Sequence, residues 1–307
     1  MSNTVQNGSQ AWEPLTPRGV ASFARASIGR LWFVQLIVAA LAAATIGWFF
    51  NTSIFPVVRQ AIQQLPLEGE IRFHQLSWSG DSPLELAESH LLGIAVDLDH
   101  TGRIGREPNF QIEFGRDDLR VFGLLGEFSF DYPSGWRVGF NRKELEPWWG
   151  AREPGMLMII TLATIVGLMI CWTVLATLYF VPIKIISFFQ NRDLQWRGSW
   201  KLAGAAQMPG ALFFTCVVVA FTLNWFDLIG LAGFAVIHLL IGWLYLFVSP
   251  LFLSRDPLVA PATTNPFIKE GSSQKGAVPK NPFSKSPHAE PEQSQSTSQP
   301  AEEKPIA

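Results

Sequence analysis

LWFVQLIVAALAAATIGWFF, Leu31 to Phe50, is a run of 20 residues without a charge. At the helical rise it extends about 30 Å, the thickness of the hydrocarbon core of a bilayer. Trp32 near one end and Trp48, Phe49 and Phe50 at the other suit two membrane–water interfaces. A cleaved signal peptide is the competing reading, since Ala42, Ala43 and Ala44 resemble a small-residue cleavage site. The apolar run continues past those alanines, and the 30 residues before it are long for a signal n-region. The stretch therefore reads as a first transmembrane helix.

Working outward, three more such blocks follow. Hydrophobic residues make up 48% of the 307-residue chain and charged residues 16%, against roughly 25% charged in soluble domains. The second block is 155–181, with Pro182 after it; the third is 202–223, with Pro209 and Gly210 inside it; the fourth is 228–253, with Pro250 in its last turn. Pro209 removes a backbone hydrogen bond and predicts a kink. Only Asn224 to Asp227 separates the last two blocks, so they form a tight hairpin. None of the four blocks contains Asp, Glu, Lys or Arg.

Basic residues set the orientation. Arg18, Arg25 and Arg30 lie in the N-terminal segment 1–30. Lys184, Arg192, Arg197 and Lys201 fall in the 182–201 loop, and Arg255 follows the fourth block. Positive-inside then puts both termini and this basic loop in the cytoplasm, and residues 51–153 outside. Arg192, Arg197 and Lys201 are candidates for contact with anionic headgroups of the lipid bilayer. Cys171 and Cys216 fall in opposite halves of the membrane, which disfavours a disulfide.

Residues 51–153 have soluble-domain composition, with 10 basic and 16 acidic residues. Period-two alternation recurs there. In FQIEF, Phe110, Ile112 and Phe114 share an apolar face while Gln111 and Glu113 point away. Phe128, Phe130 and Tyr132 repeat the pattern, as do Trp136, Val138 and Phe140. A phase break near His74 suggests a bulge or turn. Five or six short strands read as one sheet with one apolar face, covered either by a helix over 55–65 or by a partner. IAVDLDHTG, Ile94 to Gly102, then ends a strand in a polar turn where Asp99 caps amides and Gly102 takes a positive φ. An aspartic-protease loop is the sharper alternative, but His100 interrupts it and no second copy exists.

The order Leu65-Pro66, Gly69-Glu70-Ile71 and then Asp99 to Gly102, lodged between a first span and later ones, resembles an uncharacterised family of bacterial multispan membrane proteins with an extracytoplasmic β-rich insert. The resemblance covers roughly residues 30–253 and departs at His100, where a small or hydroxyl residue is expected. It implies a bacterial cytoplasmic-membrane protein and assigns no site residue.

Chemistry is sparse. His74, His90 and His100 have no metal-ligand spacing and read as surface residues. His238, inside the fourth block, is an intramembrane candidate with no charged partner, best read as neutral and bonded to a neighbour. Gln35 and Gln207 can bond between helices. Small residues at Ala40/Ala44, Ala43/Gly47 and Ala206/Gly210 permit close helix approach. No nucleophile elbow, phosphate loop or zinc motif occurs, so no catalytic residue, metal or cofactor is assigned. The net charge of −2 gives no polyanion-binding character and no nucleic-acid role.

Residues 254–307 read as a disordered cytoplasmic tail rich in Pro, Ser, Gln, Glu and Lys. Asn265-Pro266-Phe267 and Asn281-Pro282-Phe283 repeat one triplet and are candidate partner-docking anchors. The expected fold class is membrane α-helical: four transmembrane helices, a small extracytoplasmic β-rich (α+β) domain and a disordered C-terminal tail. The expected role is a non-enzymatic envelope adaptor, assembly factor or sensor with protein partners at the outer domain or tail. A transporter or channel subunit, built by homo-oligomers or with a partner, is the alternative. A membrane-associated enzyme using outer-domain acids and histidines is third.

Overall fold

The computed structural model describes residues 13–102, 109–123, 126–135 and 137–255. The element order is α1 (Pro17–Ser22), α2 (Ile28–Phe49), a π-helical turn (Phe50–Ile54), α3 (Phe55–Gln64), eight strands, α4 (Arg142–Phe189), α5 (Trp196–Ala205), α6 (Gln207–Thr222), α7 (Leu228–Val248) and a 3₁₀ turn (Ser249–Phe252). Among the described residues, four helical runs are long and apolar enough to cross a membrane: Ile28–Gln64, Arg142–Phe189, Trp196–Thr222 and Leu228–Phe252.

These runs differ from the sequence blocks at their ends, and proline explains where. The first continues through α3 because the turn widens at Pro56, where the ring removes one donor; the N–H of Phe55 reaches back to Phe50. The second begins at Arg142, well before 155, and passes Pro147, Pro154 and Pro182. Packing holds it together beyond Pro182, since Ile183 and Ser187 are fully buried there. The expected basic loop 182–201 is therefore mostly helix, with a turn at 190–195. The third run breaks at Ala206, between α5 and α6. Pro209 leaves the carbonyl of Ala205 without its helical donor, which places the break one turn before the proline.

α2 buries Leu31, Val34, Val38, Ala43 and Gly47 on one face against α4 and α6. A Cβ on Gly47 would lie 3.1 Å from Thr161 Oγ1, so this glycine sets a close approach. Of the small-residue pairs, Ala43/Gly47 lies in the interface and Ala40/Ala44 faces outward. The apolar residues of α4 and α7 mostly face outward too. Cys171 and Cys216 are free thiols.

The end of the bundle remote from the strands is tied by polar contacts. Lys201 donates to Ala26 O (2.6 Å) and Arg192 to Leu253 O (2.8 Å). Lys184 donates to Leu194 O and Tyr245 to Leu15 O. Two of the basic residues expected at headgroups, Arg192 and Lys201, thus close the fold on itself.

The strands form two sheets, not one. β1 (Gly69–Arg72) pairs with β2 (Gln75–Trp78) and β8 (Arg137–Gly139), in the order β2-β1-β8. The second sheet has the order β3-β4-β5-β6-β7, formed by Leu84–Glu88, Leu92–Val96, Phe110–Phe114, Asp118–Gly123 and Gly126–Asp131. All its pairs are antiparallel except β4–β5, which is parallel. The phase break near His74 is a two-residue hairpin turn: Arg72 faces Gln75, and Phe73 (φ 53°) and His74 (φ 65°) are both left-handed.

α3 covers the second sheet at β3 and β4. Its Val57, Ala61, Ile62 and Leu65 join Leu86, Ile94, Val96, Tyr132 and Phe140 in one apolar core. α3 and α4 are bound to each other by Arg59, which grips both oxygens of Glu153 at 2.9 and 2.7 Å. The Phe55 and Trp149 rings meet edge to face at 5.3 Å. His90, in the turn between β3 and β4, meets Phe221 of α6 with ring centroids 6.4 Å apart.

Candidate functional site

β5 keeps Ile112 and Phe114 on the apolar core side as expected, but its polar face is covered as well. Gln111 and Glu113 are buried, whereas Phe110 is exposed and Ile112 and Phe114 are only partly covered. A buried carboxylate needs partners, and the turn after β4 delivers them. Asp97, fully buried, accepts hydrogen bonds from Thr101 Oγ1 (2.9 Å) and the N–H of Gly102 (3.2 Å). His100 (φ 49°) and Gly102 (φ 66°) both adopt left-handed backbone, which folds the turn onto the sheet. The cap is therefore Asp97. Asp99 is exposed and pairs with Arg116 at 3.2 Å.

The folded turn inserts the His100 ring between two carboxylates. Nδ1 lies 2.5 Å from Glu113 Oε1, and Nε2 lies 2.6 Å from Asp118 Oδ1. The side chains of His100, Glu113 and Asp118 are 14%, 5% and 15% exposed. The ring rests over Gly115, where a Cβ would come 2.2 Å from Nε2; only glycine leaves that space. Asp118 Oδ2 also accepts from Arg120 Nε (3.0 Å) and Ser129 Oγ (2.8 Å), and Arg120 reaches Glu127 at 3.2 Å. His100 is thus a buried ion-pair residue, not a surface histidine.

A neutral imidazole has one donor, and an imidazolium has two. A ring between two carboxylates is satisfied at both nitrogens only when protonated. Burial opposes that charge, but the bonds to Glu113 and Asp118 outweigh it and raise the His100 pKa above its ordinary value. Burial likewise opposes ionised Asp118, yet His100, Arg120 and Ser129 together hold its carboxyl down to about 2. The arrangement works as an ionic latch joining the turn, β5 and β6. Neither ring nitrogen is left to exchange a proton with a substrate. No group of His, Cys, Asp and Glu among the described residues could hold a metal.

The other sequence candidates lie apart from this cluster. His74 Nδ1 sits 2.9 Å from Tyr132 O. Gln35, buried on α2, donates to Gly204 O of α5 at 3.2 Å. Gln207 Nε2 and His238 Nδ1 are buried without a hydrogen-bond partner among the described residues. His238 thus lacks the bond expected of it; its ring packs on Phe214 at 5.4 Å. Asn265, Pro266, Phe267, Asn281, Pro282 and Phe283 lie outside the described residues. Sequence reasoning missed Asp97, Glu113 and Asp118. The available signal was two acids flanking Gly115 in a short β5–β6 connection.

No protein-family model matches the chain, and no curated protein or solved structure does.

Proposed function

We propose that this chain is a bacterial envelope protein with four spans in the cytoplasmic membrane, the β domain outside and both termini inside. In this reading it acts as a non-enzymatic adaptor, assembly factor or sensor. One observation carries the reading. Two of the four apolar helical runs, Ile28–Gln64 and Arg142–Phe189, continue without a flexible linker into the β domain, where Arg59 and Glu153 bind them to each other. A force or partner acting on the β domain is transmitted along stiff helices to the far end of the bundle.

Outward-facing apolar side chains on α4 and α7, such as Ile159, Leu162, Leu239 and Leu240, support burial in lipid. The edge strand β7, exposed along its length with Phe128 and Phe130 uncovered, is the partner surface we favour, since an open edge accepts another strand. Engagement of both His100 nitrogens supports a non-catalytic role.

A photo-crosslinking residue at Phe130, in full-length chain and in chain truncated after Arg255, tests this in cells. A discrete crosslinked partner in both forms supports an adaptor working through β7. Loss of the partner on truncation moves the contact to the tail, and no crosslink from either refutes the adaptor reading. A second reading, a transport or channel subunit completed by oligomerisation, is favoured by the unpartnered Gln207 and His238 atoms on α6 and α7, because such groups are costly in lipid.

A further inference from the structure

We propose that a cavity at the base of the β domain binds one acyl chain of a bilayer phospholipid. The inference rests on the reading above, that the apolar helices lie in a membrane with the β domain outside it.

The cavity has a volume of about 270 Å3 and lies between α3, the first turns of α4 and the second sheet. One wall is a single face of α3: Val58, Ala61, Ile62 and Leu65 recur at helical spacing. The floor is the apolar face of the sheet, where Ile94 and Ile112 stand side by side on the parallel pair β4–β5. The third wall is α4, with Leu145, Trp148 and Trp149. Every lining side chain is apolar or tryptophan. Leu86 and Ile94 are buried, whereas Trp148 is 45% exposed and gives the lining its open side.

The position of the mouth identifies the occupant. Trp148 stands two helical turns before Gly155, where the apolar run of α4 begins. α3, the opposite wall, is the continuation of the first apolar run. The cavity therefore sits just above the headgroup level, with both helical walls leading down into the membrane. Arg152, one turn from Trp148 on the membrane side, holds its guanidinium 4.8 Å from the Trp148 ring. It has no carboxylate partner among the described residues, whereas nearby Arg59 is neutralised by Glu153. An unneutralised cation beside an apolar mouth at headgroup depth complements a phosphate with an alkyl chain attached.

The size suits a chain. Pockets for compact small ligands begin at roughly 300 Å3, so this one lies just below that range and fits a segment of a thin, flexible alkyl chain. A chain moving from bilayer to cavity stays in apolar surroundings, and the cavity walls make the dispersion contacts that an empty void lacks. A polar solute would lose its hydration and find almost no partners.

The test uses the full chain reconstituted in phosphatidylethanolamine–phosphatidylglycerol vesicles carrying a trace of phosphatidylglycerol with a diazirine at the end of one acyl chain. After irradiation, adducts are mapped by peptide mass spectrometry. The expected result is label on the strands that carry Leu86, Ile94 and Ile112, in addition to label on α4 and α7. Ala61→Phe, which fills the cavity, should lower the strand label at least tenfold and leave the helix label intact. Arg152→Glu, at the exposed mouth and outside the core, should lower it several-fold even if the filled variant folds poorly. Label on the helices alone would overturn the acyl-chain site and leave the membrane reading standing. Label on neither would overturn both.

Discussion

Replacing His100 by leucine is the sharpest test of the ionic latch. Leucine keeps most of the ring's bulk and removes both donors. Glu113, 5% exposed, then loses its bond to His100, and the Glu113 and Asp118 carboxylates face each other across an apolar group. Removing one partner of a buried ion pair costs about 3–5 kcal/mol, a large share of the roughly 5–15 kcal/mol that holds a domain folded. Hydrogen exchange of the β4, β5 and β6 amides, read by mass spectrometry on full chain in detergent, reports this directly. Exchange in those strands should quicken by roughly two to four orders of magnitude, while the amides of α2 and α4 keep their protection.

The pH profile adds a second readout. The His100 pKa is raised on folding, so its contribution is complete below the ordinary value of about 6.5 and is lost as pH climbs through the folded value. Wild-type strands should therefore open more easily toward alkaline pH, after correction for intrinsic exchange, and His100→Leu should remove that slope. Asp118, held at about 2, has the opposite window: its contribution is complete above its ordinary value and fades as pH falls toward 2. Unchanged strand protection in His100→Leu, or an alkaline slope equal to wild type, would refute the latch.

Three further outcomes follow from the packing. Gly210→Val would set its Cβ 2.8 Å from the His238 carbonyl oxygen, so overpacking of α6 on α7 should cost about 1–3 kcal/mol; thermal unfolding in detergent measures it, with Gly233→Val, which meets nothing within 4 Å, as the control. Arg59→Ala, Glu153→Ala and their double variant should show a coupling of about 1 kcal/mol, above the usual surface pair because both oxygens of Glu153 are gripped; additive effects would remove the clamp from the argument. Phe73→Asn, at φ 53° in the β1–β2 turn, should stabilise the β domain by about 1 kcal/mol, since asparagine tolerates left-handed backbone better than phenylalanine; exchange of the β1 and β2 amides checks it.

The four apolar runs were legible because an uncharged stretch of bilayer length leaves few alternatives. Their ends were not, because hydropathy delimits the apolar stretch and not the helix, which in α4 starts at Arg142 and runs on past Pro182. Inside α4 the helix passes Pro147 and Pro154 with no buried residue in the turns that follow, and passes Pro182 where Ile183 and Ser187 are buried. In the third run the bond lost at Pro209 is not repaired although the next turns bury Ala211, Thr215 and Val218, and the chain breaks at Ala206. A proline thus marks a missing donor, and neither the proline nor burial downstream decides alone whether the helix continues.

The β domain shows a different limit. Alternation along FQIEF locates β5 and its apolar face correctly, yet it cannot say that the polar face is covered too. Hydropathy votes for Phe110, Ile112 and Phe114, and the structure buries Gln111 and Glu113 more deeply. Both facts have one cause. The apolar face is covered by α3 and α4, two stiff helices that leave a cavity over Ile112 and Phe114. The polar face is sealed by a turn that brings its own counter-charge, so that Glu113 is buried with His100 and does not need water. Seeing this from sequence requires knowing that Asp97, not Asp99, closes the turn. Asp97 binds Thr101 and Gly102 across the fold that carries His100 onto Glu113 and Asp118. The buried charge was thus encoded jointly by residues on a turn and two strands, and no single segment carried it.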